Sequence, residues 1–129
     1  MSERIKFEME FPIKVSQKLL FQYISTPSGL SEWFADNVNS RGEIFIFIWD
    51  DSEESAKLIK KINPEKIQFQ WLEDEGSDYY FELRIQFDEI TKDVSLIVTD
   101  FAESNDEVEE SKLLWTNQIA DLKMVLGST

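Results

Sequence analysis

Four stretches of this chain place an apolar residue at every second position, and the C-terminal region then changes to the period of a helix. Ile5, Phe7, Met9 and Phe11 alternate with Lys6, Glu8 and Glu10, and Ile67, Phe69 and Trp71 alternate with Gln68 and Gln70. Tyr79, Phe81, Leu83, Ile85 and Phe87 again take alternate places, as do Val94, Leu96 and Val98 among Ser95, Ile97 and Thr99. Successive side chains on a strand point to opposite faces, so this pattern predicts half-buried strands. From about Glu107 to Leu126 the apolar residues Val108, Trp115, Ile119, Leu122 and Leu126 instead share one helical stripe. Glu107, Glu109 and Glu110 oppose the helix dipole at its start, and Gly127 suits its end. At about 1.5 Å per residue, this helix is long enough to cross a whole sheet.

Ile44 to Trp49 is apolar on both faces, Ile44, Ile46 and Ile48 alternating with Phe45, Phe47 and Trp49, so something must cover each side. Residues 55–62 offer Ala56, Leu58 and Ile62 as inward candidates, and Asn63-Pro64-Glu65-Lys66 is a turn by its chemistry. Short links between these segments predict an antiparallel meander. After the first strand, Ser16 caps a helix over 17–25 with Leu19, Leu20, Tyr23 and Ile24 on one face. Pro27 stops it, and Ser28 caps a second short helix carrying Leu30, Trp33 and Phe34 and ending near Asp36. The expectation is one α+β domain over residues 1–129. It has a curved antiparallel sheet of about six strands, two short helices after the first strand, and a long C-terminal helix packed across the sheet.

Charge narrows the functions available. Thirteen basic residues against 26 acidic ones give a formal charge of −13, which repels phosphate backbones and anionic headgroups and argues against nucleic acid or membrane partners. Cysteine and histidine are both absent, which removes thiolate nucleophiles, disulfides and nucleophile–histidine pairs. No phosphate loop or metal-ligand spacing occurs, so neither a cofactor nor a metal is expected. The acidic tip Asp50-Asp51-Ser52-Glu53-Glu54 lacks the spacing that wraps calcium and reads as a solvated turn. The N-terminal residues carry alternating charges with no apolar h-region. No stretch approaches the roughly 18 apolar residues of a membrane span, and the expected location is cytoplasmic.

The order of elements resembles the helix-grip fold of START domains and the birch-pollen-allergen superfamily (SRPBCC). Local residues carry the same likeness: Ser16 with Leu20-Phe21, then Thr26-Pro27-Ser28-Gly29-Leu30-Ser31-Glu32-Trp33-Phe34, Ile67-Gln68-Phe69-Gln70-Trp71, Thr99-Asp100-Phe101, and the helix from Trp115 to Leu126. They place the chain near the bacterial homologues of activators of a heat-shock chaperone ATPase. The resemblance spans nearly the full length. It implies a superfamily of lipid carriers, hormone receptors, polyketide cyclases and chaperone regulators, within which fold does not decide function.

The aromatic residues Trp33, Phe34, Phe45, Phe47, Trp49, Phe69, Trp71 and Trp115 are expected to converge between sheet and long helix, where this fold often holds a cavity. They are the candidate ligand-binding set; no catalytic residue is assigned. The leading expectation is a non-enzymatic module binding a small apolar ligand there. Its alternative is a protein-interaction or chaperone-regulating module, or a homodimer, with a filled core and an acidic surface. A cyclase-like enzyme ranks third, with carboxylates or tyrosine hydroxyls as its acid–base groups. Asp100 and Arg84 are read as cross-strand charges. Leu113, Ala120 and Met124 form a second stripe on the long helix that can face solvent or a partner.

Overall fold

The structure, a computed structural model, describes residues 3–128. Its elements run β1 (Ile5–Pro12), α1 (Gln17–Ser25), α2 (Pro27–Leu30), β2 (Asn37–Arg41), β3 (Ile44–Trp49), β4 (Ser52–Ile62), β5 (Lys66–Trp71), β6 (Phe81–Phe87), β7 (Val94–Ala102) and α3 (Asn105–Leu126). All strands join one antiparallel seven-stranded sheet in the order β1-β7-β6-β5-β4-β3-β2. The α+β architecture expected from the sequence is therefore present, with one strand more than the pattern predicts. The additional strand is β2, Asn37-Val38-Asn39-Ser40-Arg41, in which only Val38 is buried. An edge strand with one wet face carries almost no apolar period, so alternation could not reveal it.

Register explains the core. Phe45 lies opposite Ala56, Leu58 opposite Phe69, Ile67 opposite Leu83, Leu83 opposite Val98, and Val98 opposite Met9, so one face of the sheet is apolar across its width. On the other face Glu82 accepts a hydrogen bond of 2.6 Å from Gln68, with Lys66 and Arg84 each at 3.8 Å. Ile44, Ile46 and Ile48 share that outer face and are only half-buried; among the described residues no helix covers them. Ile62 points outward and is exposed, against the expectation for residues 55–62. A register shift between Leu58 and Lys60 inserts an extra residue, which reverses the side-chain alternation beyond it.

α1 begins at its expected cap, Ser16, but buries Leu20, Phe21 and Ile24 and leaves Leu19 exposed. α2 is shorter than expected and starts earlier. Thr26, not Ser28, is its cap, accepting a 3.0 Å bond from the Gly29 amide, with Pro27 at the first helical position. A Cβ on Gly29 would lie 2.6 Å from the Tyr23 Cα, so the two helices approach closely only because that residue is glycine. The chain beyond Leu30 turns back, the Phe34 amide bonding the Leu30 carbonyl at 2.9 Å, and this drives Trp33 and Phe34 into the core.

Ser104 caps α3 by accepting from the Glu107 amide at 3.2 Å, and the Glu107 carboxylate reaches back to the Glu103 amide at 3.0 Å. At the other end Gly127 has φ 71°, and the Ser128 amide bonds the Lys123 carbonyl at 2.8 Å, closing the helix. The buried stripe is Val108, Trp115, Ile119 and Leu122, four of the five positions the period predicts, and Leu126 in the last turn is half-buried.

Candidate functional site

The eight aromatic residues expected to converge do come together, and their rings pack on one another between sheet and helix. Phe34 is the hub: its ring centroid lies 5.1 Å from Phe47, 5.7 Å from Phe81, 5.7 Å from Trp115 and 6.1 Å from Trp49. Trp33 touches Phe34 at 5.5 Å. Phe69 meets Phe45 at 4.9 Å and Phe47 at 5.8 Å, and Trp71 meets Phe47 at 5.6 Å. Phe81, not among the chosen residues, ties the group together through Phe69, Trp71 and Trp115. Edge-to-face and tilted contacts at these separations are favourable packing, so the rings have each other as neighbours. Trp33, Phe34, Phe45, Phe47, Phe69 and Trp115 are buried, while Trp49 and Trp71 are half-buried at the margins.

Three indoles are also anchored. Trp33 donates to the Tyr23 carbonyl at 2.9 Å, Trp49 to the Phe34 carbonyl at 3.2 Å, and Trp115 to Asp100 Oδ2 at 2.9 Å. Gln118 from α3 adds a second donor to the Phe34 carbonyl at 3.1 Å.

Open clefts lie on either side of this cluster. One, of about 480 Å³, is bordered by Trp33, Phe34 and Trp49 on one wall and by Asp121, Met124 and Val125 of α3 on the other. The second, of about 410 Å³, lies between the first half of α3 and the β1–β7 end of the sheet. Its walls include Trp71, Tyr79, Tyr80, Phe101 and Leu114, and its polar groups include Arg4, Asp74 and Asp100. Phe45, Phe47, Phe69 and Trp115 border neither cleft.

Asp100 is the unusual group in the second cleft. It lies opposite Phe7 and two residues beyond Val98, on the apolar face of the sheet. Its Oδ2 accepts the Trp115 indole and its Oδ1 accepts the Phe101 amide at 2.8 Å. Burial pushes the Asp100 carboxyl above the usual carboxylate range, against the pull of those two hydrogen bonds and of the Arg4 charge, while Asp74 pushes it further up. Arg4 itself is committed: its guanidinium grips Asp74 through two bonds of 2.9 and 2.8 Å and lies 4.4 Å from the Tyr79 ring centroid. The hydrogen bond to Asp74 is the main reason that the Arg4 guanidinium is held above its ordinary value.

The sequence reading takes Asp100 as a cross-strand charge, whereas it lies opposite Phe7 and makes no ion pair among the described residues. Extending the Val94, Leu96, Val98 alternation by one step puts Asp100 on the inner face, and that was the available signal. Tyr80, Phe101 and Arg4 carried no such signal, and Tyr79, which the alternation predicts at the head of a strand, lies before β6 in the loop that follows the 3-10 turn Leu72–Asp74. Among the described residues no group of acidic side chains has metal-ligating geometry, and no helix is long and apolar enough to cross a membrane.

Comparison with known proteins bears on this geometry. The family model described as a START-like superfamily domain matches residues 1–128. A Bacteroides fragilis protein solved by solution NMR is 34% identical, with a TM-score of 0.69, the match covering 98% of this chain and 93% of that one. The Aha1 dimer from Colwellia psychrerythraea is similar at a TM-score of 0.77 and 16% identity, over 92% of this chain and 93% of that one. CalU16 from Micromonospora echinospora follows the same fold at a TM-score of 0.70 and 14% identity, over 97% and 83% of the two chains. Among curated proteins, none matches.

Proposed function

The chain belongs to the START-like superfamily, and from that premise we propose that it is a non-enzymatic binding module taking a small, partly apolar ligand in the cleft beside Asp100. The observation that carries this reading is a cleft of about 410 Å³ with aromatic walls and a half-buried carboxylate, Asp100, in its lining. The packed rings of Phe34, Phe47, Phe69 and Phe81 argue against a ligand seated among them, because opening that space would break ring contacts on all sides. Of the aromatic set, Trp71 lines the cleft and Trp115 orients its carboxylate.

Titration with a neutral, environment-sensitive apolar dye tests the reading. Dye emission should rise, tryptophan emission should shift, and Leu114→Glu should abolish both without loss of fold, since Leu114 is 64% exposed. Dye binding that survives Leu114→Glu but is lost in Met124→Glu would move the site to the other cleft.

The filled core also favours a second reading, a protein-interaction or chaperone-regulating module. Leu113, Leu114 and Met124 are exposed along α3, and the similar Aha1 of Colwellia psychrerythraea is described as a dimer. Sedimentation over a wide concentration range tests the homodimer form, which a monomer throughout would remove.

A further inference from the structure

We propose, resting on the cleft reading above, that the ligand taken beside Asp100 carries a compact organic cation, an ammonium or guanidinium, on an apolar body. Three features of the cleft converge on that chemistry. The first is aromatic: Tyr79 and Tyr80 both meet Phe101 edge-to-face, at 5.2 and 5.3 Å between centroids, so three rings cluster at one wall. Ring faces attract cations, and this wall already holds one, the Arg4 guanidinium over Tyr79.

The second is the floor. Asp100 accepts one hydrogen bond at each oxygen, from the Trp115 indole and the Phe101 amide, and among the described residues no cation lies within ion-pair distance of it. A half-buried carboxylate with spare lone pairs and no ion pair is stabilised by a cation brought to it.

The third is the rim. Arg4, among the described residues the one basic residue lining the cleft, is already neutralised by its paired bonds to Asp74. Glu73, Glu103 and Glu110 add negative charge around the mouth. Such a field concentrates cations and repels anions, so a fatty acid or a phosphate ester is the wrong partner for this cleft. Trp71, Phe101 and Leu114 supply the apolar surface for the rest of the molecule.

A matched series separates this inference from the reading it rests on. 4-Phenylbutylamine, 4-phenylbutanol and 4-phenylbutyrate share one apolar body and differ in the head group. Binding of each to the full chain is followed by NMR shifts of the Trp71 and Trp115 indole N–H signals. The amine should bind about tenfold more tightly than the alcohol, the size expected of one hydrogen bond to a charged group, and the carboxylate weakest. Asp100→Asn should bring the amine-to-alcohol ratio close to one. Glu73→Gln with Glu110→Gln, both at the exposed rim, should lower that ratio by about twofold and serves if Asp100→Asn does not fold. Equal binding of all three compounds overturns the cation inference and leaves the cleft reading standing. No binding by any of them overturns both. An amine preference that is unchanged in Asp100→Asn and vanishes in salt assigns the effect to the acidic surface and overturns the site.

Discussion

The two ends of the sheet–helix interface are built from opposite materials. Toward β3 and β5, the rings of Phe34, Phe45, Phe47 and Phe69 pack on one another with no polar side chain between them. Toward β1 and β7, the same face of the sheet carries Asp100, and Arg4, Asp74 and Tyr79 join it in a cleft open to water. The first end draws its stability from apolar area and contact; the second ties up polar groups that would be costly if left alone. Trp115 belongs to both, its ring against Phe34 and Phe81 and its N–H on Asp100. The packed end carries the apolar contacts of the core, and the polar end carries the groups that the proposed binding would use.

The largest expected effect tests the packed end. Phe34→Ala removes the hub ring, leaving Phe47, Phe81 and Trp115 without a shared neighbour, and should cost about 3–5 kcal/mol in denaturant unfolding. Trp115→Ala should fall in the same range, since Trp115 is only 6% exposed. A variant at either position that unfolds like the parent would show that the rings are not the source of stability.

Trp115→Phe sharpens the comparison by separating the residue's two roles. The ring contact with Phe34 is largely kept, while Asp100 Oδ2 loses its indole donor. The cost should be about 1.5–3 kcal/mol, the range for losing one hydrogen bond to a charged group, and it should be distinctly less than that of Trp115→Ala. Combining it with Asp100→Asn should give less than the sum of the two single effects, because both act on one hydrogen bond. Strict additivity would show that the bond contributes nothing.

Much of this arrangement was legible in the sequence, for reasons that also explain the rest. Strands β1, β5, β6 and β7 and helix α3 each carry a one-sided apolar period, and the structure has all of them in the expected order. β2 was illegible because an edge strand with a single buried residue has no period. Ile62 faces the other way because one inserted residue near Leu58 reverses alternation without leaving a mark in composition. The convergence of the large aromatics was readable from residue type. Whether they line a space or fill it depends on ring angles that no spacing encodes. The cleft itself was hidden further, since Arg4, the stretch holding Asp74 and Tyr79, and Phe101 lie far apart in the chain and meet only through tertiary pairing.

A smaller effect concerns pH at the polar end. Burial holds the Asp100 carboxyl above its unfolded value of about 3.9, so the folded chain takes up that proton more readily than the unfolded chain. The stability from this group is therefore fully present below the unfolded value and is lost as pH rises through the raised folded one. Arg4 and Asp74 bear on Asp100 with opposite signs, so the parent must be compared with Asp100→Asn instead of read alone. As pH falls from neutrality toward 4, the parent should gain stability relative to the variant, followed by urea midpoints at fixed ionic strength. A parent that loses ground over that range would place the Asp100 pKa below normal and its burial out of account.

The smallest effect concerns the charge that both ends share. With a formal charge of −13, the surface repels itself, and the acidic stretch 50–54, a turn only at Asp50-Asp51 and the start of β4 beyond it, is exposed throughout. Sodium chloride shortens the screening length from about 10 Å at 0.1 M to about 3 Å at 1 M, which weakens repulsion among separated surface carboxylates. The paired Arg4 and Asp74 lose some attraction under the same conditions, but their bonds of 2.9 and 2.8 Å are direct and partly buried, with no room for counter-ions between the groups. Repulsion is the more exposed and longer-ranged of the two, so thermal stability should rise modestly with salt. Replacing Asp50, Asp51, Glu53 and Glu54 by their amides should reduce that rise, because these side chains make no ion pair among the described residues. A melting temperature that falls with salt would mean that attraction in the Arg4 and Glu82 networks outweighs the net charge, and would move the electrostatic balance of the molecule from its surface to its sheet.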